Sequence, residues 1–242
     1  MPSRLYKYRG TRKIKSHRKR RFRGGSRGKA GISNHKPVYP PKKINDLISH
    51  VIYINLDKRK DRKKHIQREL AIFSPEKVTR LPAVVDEHPT TGCAKSHLKA
   101  LQMARDNQYP NVLIVEDDSC WTKVNESYPV LERLLKEPYD GILLGGTRCE
   151  FDKDTLRLQE GYTTSGYIVK EGFYKKYIDL YEEALAKEDN KNAEGRYIWA
   201  DGVSNDAYKN GKWYILSPSL MRQTGSYSNI DREYKNLSSG FN

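Results

Sequence analysis

Three consecutive carboxylates follow a run of apolar residues in the segment VLIVEDDSCW, residues 112–121. They are Glu116, Asp117 and Asp118, and the apolar run before them is typical of a buried strand. One interpretation is a turn, because Asp is common where strands end and Asp-Asp-Ser can cap a following helix. The other is a divalent metal site, since Mg²⁺ and Mn²⁺ prefer oxygen ligands and a strand end can hold carboxylates rigidly. The choice depends on the elements around the motif.

Apolar runs alternate along the chain with charged segments that carry apolar residues at helical spacing. Phe173, Tyr177 and Tyr181, for example, form one helical stripe. The alternation predicts an α/β fold with a mostly parallel central sheet and helices on its faces. The predicted strands are 47–56, 111–115, 139–146 and 161–169, and the predicted helices are 57–73, 92–104, 126–137 and 171–188.

Three of the predicted strands end in residues suited to ligand binding. The first ends in Asn55-Leu56-Asp57, the second in the acidic motif, and the third in Gly145-Gly146. Ligands of such sheets bind beyond the carboxyl ends of the strands, so we expect the three ends to face one crevice. A metal held there would balance a diphosphate, with Arg59 and Arg62 as further charge partners. Alternatively, these two arginines belong to a solvated helix face.

The charge of the chain is concentrated at its N-terminus. Residues 1–44 hold 16 of the 45 Lys/Arg and no Asp/Glu, which leaves 29 basic against 30 acidic residues in 45–242. We therefore predict a basic, disordered arm with a Pro-rich linker over 1–44 and one domain over 45–242. The arm is either a solubilising tail or a handle for nucleic acid, an anionic membrane surface or an acidic partner. Its HRKRRFR run would also serve as a nuclear address.

Neither a membrane span nor a secretory signal is expected from the sequence. No run approaches the roughly 18–20 apolar residues of a membrane span, and the N-terminus lacks an apolar core. The three cysteines are odd in number and have no metal-like spacing, so we expect reduced thiols. The predicted location is cytoplasmic or virion-associated, with the nucleus as an alternative.

Several motifs together carry a resemblance to a known family. VIYINLDKRKDR, GCAKSHLKAL, VLIVEDD, LLGG and TSGYIV, followed by a C-terminal WADG…SPS…SYSNI segment, resemble glycosyltransferase family 25 over about residues 49–230. That family includes lipopolysaccharide and collagen hydroxylysine galactosyltransferases. The resemblance implies a GT-A-type nucleotide-sugar-binding fold. It also implies transfer of galactose or glucose from a UDP-sugar to a glycan or protein hydroxyl with inversion.

The resemblance also implies roles for individual residues. The acidic motif would bind Mn²⁺ or Mg²⁺ with the donor diphosphate, and Asp201 would be the catalytic base, with Asp206 in reserve; both also suit a helix surface. Asn229 stands where the family often has an acidic residue. The implied or expected nucleotide-site residues are Asn55, Asp57, Arg59, Arg62, Ser96, His97, Gly145 and Gly146, and the metal ligands are Glu116, Asp117 and Asp118.

A second function class remains open beside the enzyme. The domain could be a catalytically inactive relative that serves as a structural or interaction module, while the basic arm binds nucleic acid or another polyanion. The intact acidic motif favours the enzyme, and Asn229 and the arm favour the module. Phosphoryl transfer ranks third, because the chain has no Walker-type phosphate loop.

Overall fold

The computed structural model describes residues 36–187, 199–228 and 233–235. Most of the predicted arm and Asn229 lie outside these ranges, so the expectations about them stay predictions. Short 3₁₀ helices at Leu70–Ile72 and Pro75–Lys77 follow the second helix. The α-helices of the described part are α1 Ile44–Leu47, α2 Lys60–Glu69, α3 Pro89–Asp106, α4 Val124–Leu134, α5 Glu171–Ala186 and α6 Ala200–Asn210.

The strands form one large sheet and three small ones. The large sheet has six strands in the order β2-β1-β3-β8-β5-β9, and the pairs β10-β4, β11-β12 and β6-β7 form the small sheets. The strands are β1 His50–Asn55, β2 Val78–Pro82, β3 Asn111–Glu116, β4 Ser119–Trp121, β5 Gly141–Leu143, β6 Thr147–Phe151, β7 Leu158–Tyr162, β8 Gly166–Lys170, β9 Trp213–Ile215, β10 Met221–Gln223, β11 Ser226–Ser228 and β12 Glu233–Lys235.

Five of the six central strands run in one direction. β1 is parallel to β2 and to β3, β5 is parallel to β9, and β8 is antiparallel to both β3 and β5. A parallel pair needs a long crossover, and α2 and α3 provide the crossovers that connect β1 to β2 and β2 to β3. The predicted α/β fold with a mostly parallel central sheet is confirmed.

Helices cover both faces of the central sheet. Successive side chains of a strand point to opposite faces, so Ile52 and Ile114 join a core with α3, α5 and α6, whereas Val51 and Leu113 join a core with α2 and α4. All six residues of β1 are buried. Because β1 is buried on both faces, its sequence is nearly continuously apolar instead of alternating between apolar and polar residues.

Contacts between aromatic rings pack α5 and α6 against the edge of the sheet. The ring of Trp213 in β9 lies 4.9 Å from that of Tyr208, 5.5 Å from that of Tyr177 and 6.0 Å from that of Phe173, between ring centroids. These rings are fully or almost fully buried. The predicted stripe of Phe173, Tyr177 and Tyr181 is therefore confirmed as the buried face of α5.

The extended run predicted at 161–169 is wrong as a single element. β7 ends at Tyr162 and β8 begins at Gly166, and the two strands belong to different sheets. Thr163 has a φ of 83°, in the left-handed region, where the chain turns between them. The turn places Thr164 beside the end of β3, where its hydroxyl contacts Glu116.

The Pro-rich linker packs against the domain over its second half. The hydroxyl of Tyr39 donates to the carbonyl oxygen of Arg68 at 2.9 Å, and Lys43 forms a 2.7 Å ion pair with Glu132. Ile44 is fully buried. Residues from Tyr39 onward thus contribute contacts to the fold.

Two expectations from the sequence concern thiols and membranes. Cys93, Cys120 and Cys149 are free thiols. Among the described residues, no helix combines the length and the apolar character that crossing a membrane requires.

The glycine pair after β5 allows two backbone segments to pack closely. Both glycines are buried. A Cβ atom on Gly145 would overlap the carbonyl oxygen of Met221, and one on Gly146 would lie 2.5 Å from the sulfur of Cys149. The pair therefore has a packing role, and its expected role in nucleotide binding stays a prediction.

We predict that Gly145→Ala lowers the free energy of unfolding by about 1–3 kcal/mol, because the new methyl group overlaps backbone that cannot rotate away. Equilibrium urea unfolding measures the change. Gly172→Ala in α5 is the control: its Cβ would meet nothing within 4 Å, and helix propensity should make it stabilising by up to about 1 kcal/mol. Equal stability of the two variants would contradict the packing role.

Candidate functional site

The carboxyl ends of β1 and β3 bring two of the predicted strand ends together. Asn55 ends β1, Glu116 ends β3, and Asp117 and Asp118 form the turn into β4. The side-chain nitrogen of Asn55 donates to Asp117 Oδ2 at 2.7 Å. The expected meeting of these two ends is present in the structure.

Arg62 lies between the two aspartates. Its Nη1 is 2.9 Å from Asp117 Oδ1 and 2.9 Å from Asp118 Oδ2. The three side chains are only 13%, 8% and 9% exposed, so the ions are largely removed from water. Arg62 reaches them from the first turn of α2, which packs against β4 and β1. The guanidinium of Arg62 is therefore the counter-charge of two buried carboxylates.

Burial sets the protonation behaviour of both aspartates. It raises the pKa of Asp118 to about 7, with the charge of Arg62 opposing the shift and those of Glu116 and Asp117 adding to it. Burial also raises the pKa of Asp117, against the opposing effects of Arg62 and Asn55. The single guanidinium thus offsets only part of the cost of two buried carboxylates.

Glu116 points to a different set of partners. Its Oε1 is 3.3 Å from His97 Nε2 and accepts from the hydroxyl of Thr164 at 3.1 Å, while Oε2 accepts from Gln223 at 3.0 Å. Burial raises the pKa of Glu116, but hydrogen bonds from His97, Thr164 and Gln223 outweigh it, and the pKa is lowered overall. His97 is fully buried and its Nδ1 bonds the hydroxyl of Tyr167 at 2.8 Å.

Asp201 stands beside Glu116 at the start of α6. Burial and the nearby charge of Glu116 raise the pKa of Asp201 to about 6, against the opposing effects of the Thr163 backbone N–H, the charge of His97 and the Thr164 hydroxyl. Asp206 is exposed on the same helix. Asp206 follows Asp201 by five residues, so its side chain points about 140° away from that of Asp201 around the helix axis. Of the two predicted base residues, Asp201 is the one that the fold brings to the acidic motif.

Asp57 and Arg59 lie at the rim of this region. Asp57 is 76% exposed and forms an ion pair with Arg80, which lowers its pKa. Arg59 pairs with Asp61 at 2.8 Å, and its backbone carbonyl accepts from Asn55. The structure thus places these two side chains next to the buried group and not within it.

Ser96 has local hydrogen-bond partners. Its hydroxyl donates to the carbonyl oxygen of Gly92 at 2.7 Å and accepts from the backbone N–H of Val84 at 2.9 Å. The first bond lies within α3, and the second holds α3 to the segment that follows β2. A contact of Ser96 with a nucleotide stays a prediction.

Three residues near the acidic motif were not singled out as site residues from the sequence. Thr164 and Gln223 bond Glu116, and the sulfur of Cys93 lies 4.0 Å from Glu116 Oε1. Thr164 lies in the TSGYIV motif and Cys93 in the GCAKSHLKAL motif of the sequence. Gln223 is 107 residues from Glu116 in the chain, so no local pattern could pair them.

The acidic pair fits a divalent cation at one identifiable atom. Asp118 Oδ1 is buried and makes no hydrogen bond, whereas the other oxygens of Asp117 and Asp118 bond Arg62 or Asn55. A buried oxygen without a donor carries a desolvation cost that a cation would relieve. Asp118 is therefore the residue of the acidic motif best placed to bind Mn²⁺ or Mg²⁺.

Comparisons with known proteins found no matching family model and no matching curated protein. Among solved structures, the chain is similar to A197 from STIV, with 13% identity over 79% of this chain and 95% of that one and a TM-score of 0.42. It is also similar to a 4-diphosphocytidyl-2C-methyl-D-erythritol synthase from Anaerococcus prevotii (14% identity, 69% of each chain, TM-score 0.39). A third match is a protein described as a glucose-1-phosphate thymidylyltransferase from Bacillus anthracis, with 10% identity over 72% of this chain and 70% of that one and a TM-score of 0.40. Such low TM-scores say nothing about the activity of this chain.

We predict that Arg62→Met lowers the free energy of unfolding by about 3–5 kcal/mol, because it leaves two buried carboxylates without their counter-charge. Added Mg²⁺ or Mn²⁺ should restore more stability to this variant than to the wild type, since the ion supplies the missing charge. Thermal unfolding with and without the ion measures both effects.

Arg105→Met is the matched control for this experiment. Arg105 is 47% exposed and its partner Asp106 is 61% exposed, so loss of that pair should cost no more than about 1 kcal/mol. If Arg62→Met were as stable as Arg105→Met, the buried carboxylates would not depend on the guanidinium.

Proposed function

We propose that the protein is a metal-dependent glycosyltransferase of the family 25 type. It would transfer galactose or glucose from a UDP-sugar to a hydroxyl of a glycan or protein, with inversion. The proposal combines the sequence resemblance with the observed α/β sheet. The observation that carries it is the unpartnered oxygen of Asp118 beside the cation of Arg62, directly after the strand whose last residue, Glu116, is a neighbour of Asp201.

The acidic motif would hold the divalent ion. Asp118 has a carboxylate oxygen, Oδ1, that makes no hydrogen bond and could bind the ion directly. Asp117 and Glu116 are the further members of the predicted ligand set. When bound, Mn²⁺ or Mg²⁺ supplies positive charge that stabilises the departing diphosphate. Arg62 already stands at this place and would add its own charge to the diphosphate. The predicted nucleotide contacts are Asn55, Asp57, Arg59, Ser96, His97, Gly145 and Gly146.

Asp201 would remove the proton of the acceptor hydroxyl. Inversion requires the acceptor oxygen to attack from the face opposite the leaving group, and a base must take its proton as the bond forms. A carboxylate with a pKa of about 6 is mostly ionised at neutral pH and still more basic than an ordinary aspartate.

Calorimetric titration of UDP, UDP-galactose and UDP-glucose, each with and without Mn²⁺, tests the donor site. We expect binding that needs Mn²⁺ in the wild type and is lost in Asp118→Ala, because the available oxygen has gone. Asp154→Ala is the control, since Asp154 is an exposed carboxylate in the turn after β6. Nucleotide binding that is unchanged in Asp118→Ala would refute the metal assignment.

Asp201→Asn tests the base. We expect turnover to fall by about 10²–10⁴-fold while the affinity for the UDP-sugar stays within error, because Asn keeps the shape of the side chain but cannot accept the proton. UDP release in the presence of an acceptor hydroxyl and calorimetry provide the two measurements. Asp206→Asn, exposed on the same helix, should retain activity; the reverse pattern would transfer the role to Asp206.

A second candidate function is an inactive structural or interaction module. One observation favours it: Arg62, Asn55, His97, Thr164 and Gln223 bond the carboxylates of the acidic motif from within the protein. The basic arm, with 16 Lys/Arg over residues 1–44, would then bind nucleic acid or another polyanion. Absence of binding to any UDP-sugar in the titrations would favour this function over the enzyme.

A further inference from the structure

A second group of metal-type donors lies next to the acidic pair. Over the described ranges, Cys93, His97 and Glu116 form a group whose ligand atoms all lie within 4.8 Å of one another. His97 Nε2 is 3.3 Å from Glu116 Oε1, and Cys93 Sγ is 4.0 Å from the same oxygen. The three side chains thus converge on a volume about the size of one ion.

The distances fit a tetrahedral transition-metal ion. With usual zinc–ligand bond lengths, a tetrahedral site separates its nitrogen and oxygen ligands by roughly 3.4 Å and its sulfur and oxygen ligands by roughly 3.6 Å. The observed nitrogen–oxygen distance of 3.3 Å already matches. The sulfur–oxygen distance of 4.0 Å requires a movement of a few tenths of an ångström, which a cysteine side chain can make.

Helix α3 places two of the three ligands on the same side. Cys93 and His97 are four residues apart on α3 and therefore face the same side of that helix. The hydroxyl of Tyr167 bonds His97 Nδ1 at 2.8 Å, which aims Nε2 at Glu116. A metal-binding histidine usually donates the N–H of its second ring nitrogen to a partner, and the hydroxyl oxygen of Tyr167 can accept that hydrogen bond.

The donor chemistry separates this group from the aspartate pair. Asp117 and Asp118 offer only oxygen, which suits Mg²⁺ and Mn²⁺, whereas sulfur and imidazole nitrogen favour Zn²⁺ or Co²⁺. Glu116 also projects to the α3 face of the sheet, away from Arg62 on α2. The two groups can therefore select different metals.

We propose that Cys93, His97 and Glu116 bind a divalent transition metal of the Zn²⁺ class. Three protein ligands leave a fourth position for water or a substrate oxygen, as in catalytic zinc sites. The hydroxyl of Thr164, which lies 3.1 Å from Glu116 Oε1, would be close to a metal held by these three residues. The site goes beyond the proposed function, since it needs neither a nucleotide nor the ion at Asp118. It engages Glu116 and His97, which the resemblance assigns to the donor site, with a different ion.

Cobalt titration of the full-length chain, stripped of metal by a chelator, tests the proposal. We expect one equivalent of Co²⁺ to produce a thiolate-to-cobalt charge-transfer band with tetrahedral ligand-field bands, and Zn²⁺ to abolish them. The chain has three cysteines, so the band has few possible sources. A wild-type protein that gives no thiolate band would overturn the proposal without reference to any variant or to nucleotide binding.

Variants identify the thiolate and the supporting hydroxyl. Cys93→Ser should lose the charge-transfer band, while Cys149→Ser, whose half-buried sulfur bonds the carbonyl oxygen of Thr147, should keep it. Tyr167→Phe should weaken Zn²⁺ binding by about 10–100-fold in competition with a coloured chelator. A band that survives in Cys93→Ser, or disappears in Cys149→Ser, would assign the thiolate elsewhere.

Discussion

The guanidinium of Arg62 lies between two carboxylates that the fold removes from water. A buried ion without a counter-charge costs several kcal/mol, so the start of α2 has to lie where Arg62 reaches the turn after β3. Asn55 at the end of β1 completes this arrangement by donating to Asp117. The relative positions of β1, α2 and β3 at this edge thus depend on the guanidinium of Arg62. The same requirement determines where Asp117 and Asp118 lie.

The pleat of β3 divides the acidic motif between two environments. Side chains of consecutive strand residues point to opposite faces, so Glu116 follows Ile114 toward α3, while Asp117 turns toward α2. On the α3 side the carboxylate meets His97, Thr164 and Gln223; on the α2 side the carboxylate meets a guanidinium. A continuous run of three acidic residues therefore becomes two chemically different groups.

Opposite shifts in pKa accompany this division. Hydrogen bonds keep the pKa of Glu116 below its ordinary value, whereas burial raises that of Asp201 to about 6, and the two are neighbours across Thr164. Carboxylates whose environments move their pKa values apart can take different roles in one site, one as a permanent anion and one as a proton acceptor. The same physical difference supports the roles proposed for the acidic motif and for Asp201.

The sequence by itself determined the α/β class, the strands at β1 and β3, the buried stripe of α5 and the meeting of Asn55 with the acidic motif. These features follow from the spacing of apolar residues and from the shared direction of parallel strands, which are local or topological properties. Only the tertiary structure decided that Arg62 pairs with Asp117 and Asp118, that Thr163 turns the chain between β7 and β8, and that Cys93 joins His97 and Glu116. Such contacts join residues as far as 56 positions apart, and a pairing over that distance depends on how the helices pack against the sheet.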